Sequence, residues 1–103
     1  MQATLVGSIP NIPSDVAAFA ADQAASAFLP SVLGLARRIF PSAFMSVRLE
    51  EDAELENDWH IVIEVDAIAL SVPELVACQS QWTREIFHHC PATHVCLFRL
   101  RMV

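Results

Sequence analysis

Residues 59–66 read Trp59-His60-Ile61-Val62-Ile63-Glu64-Val65-Asp66, an alternation with the period of an extended strand. Side chains two apart share a side of a strand. Trp59, Ile61, Ile63 and Val65 therefore form one row, and His60, Val62, Glu64 and Asp66 the other. The first row requires a core, and the second tolerates water. Upstream, residues 43–51 repeat the pattern, with Met45, Val47 and Leu49 on one side and Phe44, Ser46, Arg48 and Glu50 on the other. Residues 50–58 between them carry six acids. Two alternating runs joined by a polar link predict an antiparallel hairpin with a long acidic loop.

The flanking segments have helical spacing. Ser14 is placed to cap a helix over residues 15–29, with Asp15 favourable in its first turn and Val16, Ala20, Ala24, Ala27 and Phe28 in one stripe. Pro30 interrupts. Ser31 then caps a second helix with Val32, Leu35, Ala36 and Ile39 on one face and Leu33 and Phe40 beside it. Arg37 and Arg38 complement the dipole at its end, and Pro41 stops it. After the hairpin, Ser71 or Pro73 opens a third helix reaching about His89. Its core stripe is Leu75, Cys78, Trp82 and Ile86, with Val76 and Phe87 on the shoulder. Pro91 ends it, and residues 93–103 read as a last strand with His94, Cys96, Phe98, Leu100 and Met102 on the apolar side. Trp59 and Trp82 read as core anchors.

These elements predict one α+β domain over residues 1–103, in the order α-α-β-β-α-β, with helices packed on one face of a three-stranded sheet. Residues 1–13, with Pro10 and Pro13, read as an extended arm, possible as an added edge strand. The third helix crosses the sheet right-handedly and returns the chain parallel to residues 59–66. The last strand belongs either directly beside residues 59–66 or beyond residues 43–51, and the second, a split arrangement, is the one preferred.

Composition excludes several functions. Twelve acids against six bases give a net charge of −6, which opposes a nucleic-acid surface or an anionic membrane face and favours basic partners. Every base is Arg, which removes lysine nucleophiles, Schiff bases and the Walker lysine. Two glycines cannot build a phosphate loop. An odd set of three cysteines, with no secretory leader or apolar span, points to free thiols in a cytoplasmic setting. The apolar fraction of 54% supplies a core and leaves apolar surface for a partner.

Four constellations bear on chemistry. His88, His89, Cys90, His94 and Cys96 lie within nine residues, and zinc takes sulfur and imidazole. Cys90, His94 and Cys96 are therefore the candidate ligands, although a matching second pair is missing. Glu64 and Asp66 share a strand side about 7 Å apart, a spacing compatible with acid–base pairs in glycoside hydrolysis. Arg48, Arg99 and Arg101 belong to the same side, which also suits a ladder of ion pairs. Asp52, Glu54, Glu56 and Asp58 alternate as calcium ligands do, but without the turning glycine or the closing glutamate. A Cys–His nucleophile pair would lack an orienting carboxylate or amide.

Phe40-Pro41, the runs at 47–52 (Val-Arg-Leu-Glu-Glu-Asp) and 59–65 (Trp-His-Ile-Val-Ile-Glu-Val), and Glu74-Leu75 with Trp82 carry a resemblance. The chain resembles short uncharacterised bacterial proteins of helix–hairpin–helix–strand plan. The likeness covers about two thirds of it and implies no activity. The function expected is that of a small non-enzymatic protein-interaction module, self-associating as a homodimer or holding a basic protein, with no cofactor. The alternatives are a zinc protein using residues 88–96 and a small hydrolase using Glu64 and Asp66.

Overall fold

A computed structural model describes residues 10–103. The elements are α1 (Ser14–Asp22), α2 (Leu29–Ile39), β1 (Met45–Glu51), β2 (Trp59–Val65), α3 (Val72–Glu85) with a 3-10 turn at Ile86–His88, α4 (Ala92–Val95) and β3 (Phe98–Met102). The α+β class and the expected order hold, with the single turn of α4 added. The arm expected over residues 1–13 lies outside the described residues as far as residue 9.

β1 and β2 pair antiparallel, with Val47 opposite Ile63 and Arg48 opposite Val62. β3 pairs parallel with β2, Ile63 facing Leu100 and Glu64 facing Arg101. The order is β1-β2-β3, so the split arrangement is wrong: β3 lies directly beside β2. The physical reason lies in the strands themselves. β2 is the most apolar, and even Val62 in its outer row is fully buried, so it takes the centre. β1, with Ser46, Arg48, Glu50 and Glu51, is suited to an edge.

The inner row behaves as its pattern requires. Ile61, Ile63 and Val65 have no exposed surface, and Met45, Val47 and Phe98 are buried beside them. Burial of each Ile or Val contributes about 1.5–3 kcal/mol. The helical cover comes from Val16 and Ala20 of α1, six residues of α2, and Trp82 and Ile86 of the crossover. Trp59 departs from expectation. It stands opposite Glu51 at the loop end of the hairpin and is 38% exposed.

Boundaries moved where local chemistry competes with periodicity. α1 stops at Asp22 because the chain turns there. Ala24 has φ 57, its N–H reaches the Ala21 carbonyl at 3.2 Å, and the Ala25 N–H reaches the Ala20 carbonyl at 2.7 Å. These are the two bonds of a Schellman C-cap, with alanine where glycine is usual. Pro13, not Ser14, is the N-cap of α1, and no side chain caps it. Pro30 does not break a helix but sits in the first turn of α2, where its missing N–H is harmless, so Ser31 is no cap. Ser71 does cap α3: its Oγ accepts the Glu74 N–H at 3.3 Å, and Glu74 Oε1 accepts the Ser71 N–H at 2.8 Å. That second bond leads in holding the Glu74 carboxyl below its usual range.

The expected strand over residues 93–103 is shorter, and its start is helical. With Pro91 as N-cap, Ala92–Val95 form one turn, and the His94 N–H bonds to the Pro91 carbonyl at 2.8 Å. Only from Leu97, whose carbonyl accepts the Ile61 N–H at 2.7 Å, does the chain join the sheet. His94 and Cys96 therefore leave the strand's apolar row.

Candidate functional site

The outer face of the sheet carries a network of charges spanning all three strands. Arg48 donates to Glu50 Oε2 at 2.7 Å and to Glu64 Oε2 at 3.2 Å. Arg101 grips Glu50 with both guanidinium nitrogens, at 3.0 and 2.6 Å. The paired bonds from Arg101, joined by the one from Arg48, hold the Glu50 carboxyl down at about 2. The same contacts push both arginines further above their usual range. Of the ladder of cross-strand ion pairs expected from Arg48, Arg99 and Arg101, the Arg48 and Arg101 rungs are present.

At the loop end, Arg99 Nη2 lies 3.0 Å from the buried His60 Nε2. A guanidinium only donates, so this contact places the imidazole proton on Nδ1. Asp58 and Asp52 stand at 3.7 Å from His60 and 4.0 Å from Arg99 respectively. The loop is built around Asp52, whose Oδ1 accepts the Glu54 and Leu55 N–H groups at 2.8 and 3.1 Å. Those two amides hold its carboxyl below the usual range. Asn57, at φ 61, makes the sharp turn that a glycine would otherwise supply. The loop's best-placed carboxylate is therefore satisfied by its own backbone.

The other end of the sheet is different. A hollow of about 590 Å³ opens there, lined by Phe44, Ser46, Glu64, Asp66 and Ala67 and closed by Ile68, Leu70, Leu75, Met102 and Val103. Three backbone bonds assemble it: the Asp66 N–H to the Phe44 carbonyl at 2.9 Å, the Ala67 N–H to the Val103 carbonyl at 2.8 Å, and the Val103 N–H to the Val65 carbonyl at 3.0 Å. The ends of all three strands are thereby brought together. Phe44 is 76% exposed, Ile68 89% and Val103 61%. Asp66 and Leu70 also border a smaller hollow of about 180 Å³ against Phe40 and Cys78. Glu64 and Asp66 share a side, as expected, and both line the larger hollow. Phe44 and Ile68 were not singled out by sequence reasoning, although a phenylalanine out of phase with Met45 and Val47 is the legible sign.

The Cys/His cluster is divided among structural contacts. His89 Nδ1 meets Ser31 Oγ at 2.7 Å, tying the end of the crossover to α2. His94 Nδ1 meets Thr93 Oγ1 at 2.9 Å, and its ring packs tilted on Phe28 with centroids 5.4 Å apart. Cys90 is buried and Cys96 exposed. Burial, with a smaller contribution from Cys96, pushes the Cys90 thiol up, which keeps it protonated and a poor nucleophile. Among the described residues, no three His, Cys, Asp or Glu side chains are gathered to hold a metal.

No family model, curated protein or solved structure matches the chain. Among the described residues, no helix is long and apolar enough to cross a membrane.

Proposed function

We propose that the chain is a small non-enzymatic protein-interaction module that docks another polypeptide through the hollow end of its sheet. One observation carries this reading: Phe44, Ile68 and Val103, three large apolar side chains from three segments, stand exposed around a single concavity. Scattered exposed apolar residues are ordinary, but a gathered group rimmed by polar ones is the pattern of a contact surface. Self-association, expected from the apolar surplus, is one form of the proposal, and a basic protein of different sequence is the other.

The hydrolase alternative has the hollow beside Glu64 and Asp66 in its favour. Both carboxylates are already engaged within the chain. Here Glu64 faces Arg48, and Asp66 accepts the Ile68 N–H at 3.1 Å. The zinc alternative has Cys90 and Cys96 near one another, but His94 is committed to Thr93 and Phe28.

The test is a photoreactive amino acid placed at Ile68, and separately at the exposed Ala77 of α3, in the cells the chain comes from. Discrete protein adducts at the first position and none at the second are expected. Equal labelling at both, or none at either, would contradict the proposal.

A further inference from the structure

The charges around the hollow narrow what can dock there. Among the described residues, the charged side chains that line it are Glu64 and Asp66, and no Arg or His lines it. Each carboxylate has one oxygen in use: Glu64 Oε2 accepts from Arg48, and Asp66 Oδ1 from the Ile68 N–H. Glu64 Oε1 and Asp66 Oδ2 have no hydrogen-bond partner among the described residues. Both side chains line the one hollow, so a cationic head entering it can approach both free oxygens.

The arginines of this chain are largely engaged already. Arg38, Arg48, Arg99 and Arg101 already face carboxylates of their own chain. Arg37 donates to the Phe40 and Ala43 carbonyls at 2.9 and 2.8 Å. Arg84 makes no hydrogen bond or ion pair among the described residues, and residues 1–9 carry no charged side chain. A second copy would therefore bring a single available arginine toward a chain of net charge −6.

We infer that the hollow receives an arginine or lysine from a basic segment of a different protein, with a neighbouring apolar residue laid on Phe44 and Ile68. The inference rests on the reading of the chain as a docking module. Apolar walls with two convergent carboxylates suit an amphipathic cationic side chain, whose stem is buried while its head pairs. The acidic loop at the far end of the hairpin adds long-range attraction for such a partner.

Two fluorescein-labelled peptides test it. One carries two arginines, each next to a phenylalanine, and the other has glutamine in place of arginine. The arginine peptide should bind at least about tenfold tighter, and rising salt should erode that margin. The double substitution Glu64→Gln/Asp66→Asn should bring it to the level of the glutamine peptide. Asp66→Asn keeps the acceptor for the Ile68 N–H, so the turn survives. Amide shifts on binding should gather at Phe44, Ile68 and Val103, and shifts confined to residues 52–58 would overturn the site. If the two peptides bind equally while Ile68→Ser abolishes both, the docking surface stands and its cation preference is refuted. If neither peptide binds, the inference falls. Sedimentation then decides the wider reading: an Ile68-dependent dimer makes a second copy the occupant.

Discussion

Glu50 on β1 and Arg101 on β3 are joined by two hydrogen bonds, although β2 lies between their strands. Glu50 is in register with His60 and Arg101 with Glu64, so the pair crosses the central strand at Val62, which is fully buried. One ion pair thus spans the width of the sheet.

This bridge makes stability depend on pH in a defined direction. Glu50 has its carboxyl lowered from 4.5 to about 2. A lowered carboxyl contributes stability above its unfolded value and loses it as pH falls through the folded one. Asp52, Glu74 and Glu85 are shifted the same way. Urea midpoints should therefore fall between about pH 4.5 and 2. Glu50→Gln should show a smaller fall than the parent chain, and parallel curves would refute the bridge's role.

Two isoleucines in and near one strand should behave oppositely. Ile63 is fully buried, and its replacement by Ala should destabilise by about 2–5 kcal/mol through lost burial and a residual cavity. Ile68 is 89% exposed, and Ile68→Ala should change stability by less than about 0.5 kcal/mol. Denaturant titration of both variants checks the pair.

Ala24 closes α1 in the left-handed region at φ 57. That conformation costs an L-residue about 1–2 kcal/mol, partly offset by the greater unfolded freedom of glycine. Ala24→Gly should stabilise by roughly 0.5 kcal/mol, and Ala24→Val should destabilise. Thermal melts of the two variants should move in opposite directions.

Gly34 lies inside α2, where an added Cβ would meet nothing within 4 Å among the described residues. Gly34→Ala should raise stability by about 0.5–1 kcal/mol through helix propensity alone. A calorimetric midpoint that fails to rise would show that the position is more crowded than it looks.

The sheet's inner row was legible because period-2 alternation in residues 43–51 and 59–66 has one consistent burial solution. The stripe of α2 was legible from its helical period, and Ser71 was one of two readings for the start of α3, whereas Ala24 and Ala27 of the first expected stripe lie exposed past the end of α1. The order of strands was not, because alternation says which side a residue faces and nothing about which neighbour it pairs with. Residues 93–96 misled because His94 and Cys96 stay in phase with Phe98, while Pro91 starts a helical turn ahead of them. Of the site, Glu64 and Asp66 could be read from strand phase. The exposed group of Phe44, Ile68 and Val103 is made by three chain ends meeting, which no local pattern encodes.

The central claim, that this apolar end is a docking surface, is tested most directly by native size in an extract of the source cells. The parent chain should elute in a complex well above its 11.4 kDa monomer. Phe44→Ser/Ile68→Ser, folded as judged by its melt, should elute as the monomer. Identical elution of the two chains would contradict the account.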